Sequence, residues 1–186
     1  MCKFDFNLNY QIFSSATSMK RLYLIRHAKS SWEDLDQKDI DRPLNDRGKT
    51  DAPRMGKRLK GRNIFPDVML SSPAKRALDT CKVIAKTIGF PAERIKTDQR
   101  LYHANEDQLL NVIKELTDSN NDKEVIMVFG HNPGLTDFAN SLLSETIENI
   151  PTCGVVGSEI MVKSWKDTTF GSGELKFFDF PKNRKD

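Results

Sequence analysis

Three short segments of the chain carry residues suited to phosphoryl chemistry. Residues 26–30 (RHAKS) and 130–134 (GHNPG) each contain a histidine, and residues 71–76 (SSPAKR) end in an arginine. Arginine presents a planar fork of donors that fits phosphate oxygens, and a neutral imidazole can act as a nucleophile. These residue types are typical of a site that holds and transfers a phosphoryl group, provided that the fold brings them together.

Each of these segments follows an apolar run that predicts a strand. Runs of strand length lie at 22–25, 68–70 and 125–129, with a weaker one at 95–101, and continuous apolar strands are buried on both faces. Helical spacing of apolar residues marks 46–59, 73–88, 107–116 and 133–142, although Pro53 favours the C-terminal half of the first. This alternation predicts an α/β fold with three αβα layers, in which a mostly parallel sheet has helices on both faces.

Capping signals and a change of pattern complete this prediction. Ser72 before Pro73 is typical of an N-cap followed by proline at the first helical position, and Asn132 before Pro133 repeats the signal. Beyond residue 151, runs at 155–162 and 175–180 predict two C-terminal antiparallel strands that complete the sheet.

Length and composition indicate one globular domain. The chain has 186 residues, 38% of them hydrophobic and 30% charged, and no apolar run approaches the roughly 18 residues of a membrane span. Residues 1–18 lack periodicity and a signal-peptide core, so we expect a mobile N-terminal extension before a single catalytic domain at 19–186. Three widely spaced cysteines fit a reducing cytoplasm, and a net charge of +3 gives no support for a nucleic-acid partner.

The polar residues gather at one predicted edge of the sheet. Ligands of open α/β sheets bind beyond the carboxyl ends of the strands, and His27, His103 and His131 all follow predicted strands there. Two helices also begin at this edge, and helix N-termini favour anions. We therefore expect Arg26, Arg76, His27 and His131 to form a positive phosphate pocket. Its charge should lower the pKa of His27 and keep that ring neutral, whereas a bound dianion would favour protonation of His131.

These motifs resemble the signatures of the histidine phosphatase superfamily, whose fold is phosphoglycerate mutase-like. Residues 22–28 (LYLIRHA) resemble its RHG/RHA signature, and 42–48 (RPLNDRG) resemble its P-L-T-x-x-G segment. Residues 70–77 (LSSPAKRA) and 128–134 (VFGHNPG) resemble its S-S-P-x-x-R-A and second-histidine motifs. The resemblance runs through residues 20–181. The compact length, the HNPG form and the PTC at 151–153 most resemble SixA-type phosphohistidine phosphatases.

The resemblance implies a phosphatase that needs neither a metal nor another cofactor. By position, His27 is the nucleophile that receives the phosphoryl group, and Arg26, Arg76 and His131 form the pocket around it. Hydrolysis then takes two steps, in-line transfer to the His27 nitrogen and attack of water on the phosphohistidine. The implied partner is a phosphorylated substrate, with protein phosphohistidine as the best match, and no membrane partner is indicated.

The proton donor to the leaving group is the least defined part of the predicted site. Larger members of the family carry an insertion over the site and an acidic residue for this task, whereas residues 101–110 leave no room for a lid. Glu106 and Asp107 are nearby, but both begin a helix, where the dipole favours the ionised form and capping explains them equally well. A weak acid suits phosphohistidine better than an alkyl phosphate, and an open site admits a protein-borne phosphate.

Other residues near the predicted edge have weaker functional interpretations. Arg42 either reaches the rim of the pocket or, as the pattern favours, pairs at the surface with Asp39 or Asp41. Lys29 adds positive potential at the rim in one interpretation. Trp32 either contacts substrate or covers core, and His103 is interpreted as ordinary loop structure.

Several other functions fit parts of the pattern. A metal hydrolase could use three converging histidines, but no H-x-x-x-H spacing is present and two arginines would repel a cation. A serine hydrolase using Ser71 or Ser72 lacks a G-x-S-x-G turn. A non-catalytic phosphate-binding or phosphoprotein-binding domain, and a small-molecule phosphomonoesterase or mutase of the same fold, remain as alternatives.

Overall fold

The computed structural model describes residues 19–115 and 124–183, so the predicted N-terminal extension and the predicted helical residue Leu116 lie outside the described residues. The strands are β1 (Met19–Arg26), β2 (Val68–Ser71), β3 (Lys96–Thr97), β4 (Val125–Gly130), β5 (Val155–Met161) and β6 (Gly173–Asp179). The α-helices are α1 (Asp46–Gly61), α2 (Lys75–Ile88), α3 (Glu106–Glu115) and α4 (Gly134–Leu142). Short 3-10 turns lie at Asp39–Asp41, Ala92–Arg94, Gln99–Leu101 and Trp165–Asp167.

The strands form one sheet in the order β3-β2-β4-β1-β5-β6. Strand β4 pairs in parallel with both β1 and β2, and β2 pairs in parallel with β3. The last two strands run antiparallel, since β5 pairs with β1 and β6 pairs with β5 in that sense. The predicted mostly parallel α/β sheet with C-terminal antiparallel strands is therefore confirmed.

Helices cover both faces of this sheet because its central strands are apolar on both sides. Along β1, Leu22 and Leu24 belong to a core cluster that includes side chains of α3 and α4. Tyr23 and Ile25 alternate with them and belong to the cluster on the opposite face, with side chains of α1 and α2 such as Met55. Every residue of β4 is buried. The three-layer αβα arrangement follows from this burial on both faces.

Most predicted bounds differ from the observed ones by one to three residues, and two elements depart further from the prediction. Helix α1 begins at Asp46 and passes unbroken through Pro53, although proline removes one hydrogen bond from a helix interior. The side chain of Asn45 caps its start by accepting a hydrogen bond from Gly48 N–H at 2.9 Å, and its apolar face is buried against the sheet. The predicted strand at 95–101 is reduced to the two residues of β3, followed by a 3-10 turn.

Both predicted helix caps are wrong. The N-cap of α2 is Ala74, and Ser72 lies two residues earlier, where its Oγ accepts a hydrogen bond from Ala74 N–H at 3.3 Å. The N-cap of α4 is Pro133. The Asn132 side chain does not cap this helix and instead donates to Asn149 Oδ1 at 2.8 Å. Serine and asparagine before proline resemble caps in sequence, but here they tie neighbouring loops together.

The described part of the chain contains no helix long and apolar enough to cross a membrane.

A substitution at Gly134 is expected to destabilise the fold where α4 begins. A Cβ there would overlap the backbone carbonyl of Ala104, which can move only with the chain. We expect Gly134→Ala to lower the free energy of unfolding by about 1–3 kcal/mol, the usual cost of overpacking. Gly61→Ala is the matched control, because a Cβ at Gly61 has no neighbour within 4 Å. Urea unfolding should show the control unchanged or slightly stabilised, and equal stability of both variants would contradict the tight contact.

Candidate active site

The carboxyl ends of β1 and β4 place the two segments that contain His27 and His131 side by side. Arg26 pairs with Gly130 in the parallel ladder, and His27 N–H donates to the Gly130 carbonyl at 3.1 Å. The rings of His27 and His131 therefore lie with centroids 5.1 Å apart. From the first turn of α2, Arg76 places its Nε 3.4 Å from His27 Nε2.

A cavity of about 200 Å³ opens at this edge of the sheet. The side chains around it are largely basic, and His27 lies among them. The lining residues are Arg26, His27, Lys29, Ser30, Trp32, Arg42, Arg76 and Thr152. A cavity of about 220 Å³ lies near the other end of β1, around Arg21 and Lys176, but no histidine lines it. The chemistry therefore favours the cavity beside His27.

The ring of His27 is held in one tautomer. Its Nδ1 lies 2.7 Å from the carbonyl oxygen of Ala28, which can only accept, so Nδ1 carries the proton. Burial lowers the pKa of His27 to about 4, and the charges of Arg76 and Arg26 add to this effect against the opposing Ala28 hydrogen bond. The expected lowering is thus present, but burial is a larger cause than the positive surroundings. At neutral pH the ring is uncharged and its lone pair is on Nε2.

His131 is buried, with 6% of its surface exposed. Its Nε2 lies 2.8 Å from Ser72 Oγ, and its Nδ1 is buried without a hydrogen-bond partner. Burial lowers the pKa of His131 to about 3, and the charges of His27 and Arg76 act in the same direction. The ring is therefore neutral in this structure, and one of its nitrogens is buried without a hydrogen-bond partner.

Two further arginines stand beside the histidines. Arg26 donates from one guanidinium nitrogen to the Ile150 carbonyl at 2.7 Å, while its buried Nε has no partner. Burial lowers the pKa of Arg26. Arg42 is buried rather than at the surface, because it donates to Ser30 Oγ at 2.7 Å and lies 3.2 Å from the ring centre of Trp32. Arg42 lines the cavity and also pairs with Asp39. The predicted partner is therefore present, but Arg42 is buried and the expected surface position is wrong.

Sequence reasoning missed the importance of Asp39 to the site. Its carboxylate accepts hydrogen bonds from Arg76 at 2.9 Å, from Tyr102 at 2.8 Å and from Arg42 at 2.8 Å. Burial works to raise the pKa of Asp39, but these hydrogen bonds outweigh it and hold the pKa well below its usual range. Residue spacing predicted the pair with Arg42, which is three residues away, but it gave no signal for Arg76 and Tyr102, which come from distant segments.

The remaining candidates divide into those near the site and those away from it. Lys29 and Trp32 line the cavity, and the Trp32 ring stacks on Arg42 with 65% of its surface exposed instead of covering core. His103 lies in a turn with 62% of its side chain exposed, and its ring centroid lies 5.9 Å from that of His131. Among the described residues, no hydrogen bond or ion pair joins Glu106 to the site, and Asn105 provides the α3 cap by accepting from Gln108 N–H at 2.9 Å.

Comparisons with known proteins identify the family. The family model for the histidine phosphatase superfamily, branch 1, matches residues 22–104. An uncharacterized chloroplastic protein of Arabidopsis thaliana is 33% identical over 168 residues, which cover 86% of this chain and 76% of that protein. The chain belongs to the histidine phosphatase superfamily. A 2,3-bisphosphoglycerate-dependent phosphoglycerate mutase of Bifidobacterium longum is 33% identical over 79 residues, but these cover only 40% of this chain and 32% of the mutase.

Solved structures of the superfamily share the fold over nearly their full length. SixA of Agrobacterium tumefaciens superposes with a TM-score of 0.71 at 25% identity, over 86% of this chain and 97% of SixA. The protein histidine phosphatase SixA complexed with tungstate gives a TM-score of 0.74 at 18% identity, over 87% of this chain and 97% of that one. A mycobacterial glucosyl-3-phosphoglycerate phosphatase gives 0.64 at 15% identity, over 85% and 97%. The SixA-type resemblance and the phosphoglycerate mutase-like fold are confirmed.

Acid is expected to destabilise the protein through the two buried histidines. Their pKa values of about 4 and about 3 lie below the ordinary 6.5, so the unfolded chain binds protons that the folded protein does not. Their contribution is fully present above pH 6.5 and is lost as pH falls through the folded values. Each pKa unit is worth about 1.4 kcal/mol, so the loss should reach a few kcal/mol. Urea unfolding of His131→Asn should show a shallower decline below pH 6.5 than the unsubstituted protein, and an equal slope would contradict these shifts.

Removing the charge of Asp39 is expected to strengthen oxyanion binding. Asp39→Asn leaves Arg76 and Arg42 without their internal anion, so tungstate should bind about tenfold more tightly, equivalent to about 1.4 kcal/mol. Isothermal titration calorimetry measures this affinity. The matched control is Asp41→Asn, which removes an exposed carboxylate from the same 3-10 turn and should change the affinity less than twofold at physiological salt. Weaker tungstate binding in Asp39→Asn would show instead that Asp39 aligns the arginines.

Proposed function

We propose that this protein is a phosphatase that forms a covalent phosphohistidine on His27 and hydrolyses it, with protein phosphohistidine as its substrate class. The observation that carries this proposal is the state of the His27 ring. Its Nδ1–H is bound to the Ala28 carbonyl, which leaves the lone pair on Nε2, beside Arg76 Nε at 3.4 Å. A neutral imidazole with its lone pair on Nε2, at the wall of a basic cavity, can attack phosphorus once a bound phosphoryl group takes over the long contact with Arg76.

In the first step, the phosphoryl group transfers from the substrate to His27. Arg26 and Arg76 bind its oxygens and stabilise the charge that spreads over them, while Nε2 attacks in line with the bond that breaks. His131 lies beside the nucleophile, with its ring centroid 5.1 Å from that of His27. The hydrogen bond between its Nε2 and Ser72 Oγ at 2.8 Å holds the ring in this position.

In the second step, water attacks the phosphohistidine. The bond between phosphorus and Nε2 breaks, its electron pair returns to the nitrogen, and inorganic phosphate leaves. The Nδ1 hydrogen bond to Ala28 keeps the ring oriented through both steps, so the same nitrogen is regenerated as the nucleophile. The arginines stay charged throughout, because they bind oxygens and exchange no proton.

Openness of the site supports a substrate carried on a protein. The cavity is walled by exposed groups such as Trp32 and Lys29, and the segment from 3-10 turn Gln99–Leu101 to α3 is only four residues long. SixA, a protein histidine phosphatase by name, shares this fold and binds tungstate, an oxyanion with the shape of phosphate. These observations support protein phosphohistidine over a small sugar or glycerate phosphate.

One contact favours a second function, that of a serine hydrolase. Ser72 Oγ and His131 Nε2 are 2.8 Å apart, within the range of a nucleophile and its base. However, Ser72 has no exposed surface, and His131 Nδ1 lacks the carboxylate that orients the base of a catalytic triad. We therefore assign this contact to the orientation of His131.

The covalent intermediate is the first prediction of this mechanism. Brief incubation with a ³²P-labelled phosphodonor and denaturation in alkali should trap about one phosphoryl group per chain on His27, because a phosphoramidate survives alkali but not acid. His27→Ala should trap none. EDTA should leave the yield unchanged, since no step uses a metal. Phosphate binding without trapping would contradict the enzyme and support the non-catalytic binding domain.

Substrate preference is the second prediction. We expect kcat/KM for a phosphohistidine peptide to exceed that for alkyl phosphomonoesters and 3-phosphoglycerate by at least about tenfold, since the P–N bond needs less help to break. Steady-state phosphate release from matched concentrations measures this ratio. Faster turnover of the alkyl esters would overturn the substrate class, and phosphoryl transfer between glycerate positions would identify a mutase.

A further inference from the structure

A third histidine ring extends the pair at the site toward solvent. The ring centroids of His27 and His131 are 5.1 Å apart, and those of His131 and His103 are 5.9 Å apart. His131, in the middle, is buried with 6% of its surface exposed, whereas the His103 side chain is 62% exposed. In-line attack by His27 places the leaving group on the side of phosphorus away from Nε2. A leaving group that belongs to another protein must lie toward solvent, and His103 is the exposed histidine of the three.

The backbone of His103 adopts an energetically unfavourable conformation. Its φ of +57° lies in the left-handed region, which residues other than glycine seldom adopt. The next residue, Ala104, is pressed against Gly134 at the start of α4, so the segment has little freedom to relax. Unfavourable backbone conformations that a rigid surrounding maintains are concentrated at functional sites.

The charged and titratable groups around His103 come from several elements. Asp39 Oδ2, on the 3-10 turn before α1, lies 3.9 Å from His103 Nε2 and also accepts from Arg76 of α2 at 2.9 Å. The Tyr102 ring packs on His103 with centroids 4.1 Å apart, and His131 follows β4. The Asp39 carboxylate thus links His103 to Arg76, one of the arginines proposed to hold the phosphoryl group.

None of these neighbours is suited to give a proton to the leaving group. Asp39 is ionised, because the hydrogen bonds from Tyr102, Arg76 and Arg42 outweigh its burial and hold its pKa well below the usual range. Burial and the nearby Asp39 raise the pKa of Tyr102, whose hydroxyl already donates to that carboxylate. His131 is neutral, since burial lowers its pKa to about 3.

We propose that His103 is the proton donor to the leaving group, with Asp39 as the positioning residue that pairs with its protonated ring. The inference rests on the proposed phosphatase function and names a catalytic residue for it. Glu106 lies in the first turn of α3, where the helix dipole favours its ionised form, whereas His103 lies 3.9 Å from the Asp39 carboxylate.

The proton and electron pairs balance over the two steps. As His27 Nε2 bonds to phosphorus, the bond from phosphorus to the substrate nitrogen breaks, and that nitrogen takes the proton of the His103 imidazolium. His103 is then neutral and accepts a proton from the water that attacks the phosphohistidine. Without a donor, the nitrogen of a neutral phosphohistidine ring would leave as an imidazolate, which is a strong base, so protonation in the transition state speeds its departure. A p-nitrophenolate is a weak base and departs without such a proton.

A comparison of leaving groups tests this role. His103→Asn replaces the imidazole with a side chain that tolerates positive φ. We expect turnover of a phosphohistidine peptide to fall about 100-fold more than turnover of p-nitrophenyl phosphate, whose leaving group departs without a proton. His103→Gly, which fits the same backbone, should reproduce this difference between the two substrates.

Glu106→Gln is the matched control and should leave the ratio of the two rates unchanged. Equal losses on both substrates in His103→Asn, no loss at all, or a changed ratio only in Glu106→Gln would each overturn the role of His103. The unsubstituted protein separates this result from the phosphatase proposal. Turnover of p-nitrophenyl phosphate with phosphate trapped on His27 supports the phosphatase whatever His103 does, whereas the absence of both turnover and trapping overturns both proposals.

Discussion

The hydrogen bond from His27 Nδ1 to the Ala28 carbonyl constrains the rest of the site. A carbonyl only accepts, so this bond at 2.7 Å fixes the proton on Nδ1 and the lone pair on Nε2. The bond is local, but its geometry depends on the sheet, because His27 N–H is itself bound to Gly130 on the neighbouring strand. The parallel pairing of β1 and β4 thereby sets both the direction of the nucleophile and its distance from His131.

The second constraint is the concentration of positive charge around a neutral ring. Arg26, Arg42 and Arg76 all line one cavity, and each is held by hydrogen bonds to the protein. Burying several cations without counter-charges is costly, and Asp39 offsets part of that cost by accepting from two of them. The same carboxylate competes with a substrate for the arginines, so the charge that stabilises the folded protein also limits its affinity for phosphate.

Sequence alone predicted the architecture and the main residues of the site, because both depend on local patterns. Apolar runs predicted β1 and β4, and the motifs after them contain His27 and His131. What sequence reasoning missed depends on contacts across the fold. Asp39 joins its sequence neighbour Arg42 to the distant Arg76, and His103 gains its position from a backbone conformation that no motif signals.

The position of the phosphoryl group on the His27 ring tests the central claim most directly. NMR of the trapped phosphoenzyme distinguishes the two ring nitrogens through their coupling to phosphorus. The account predicts phosphorus on Nε2, with Nδ1 still protonated and bound to the Ala28 carbonyl. Phosphorus on Nδ1, or on any residue other than His27, would contradict it.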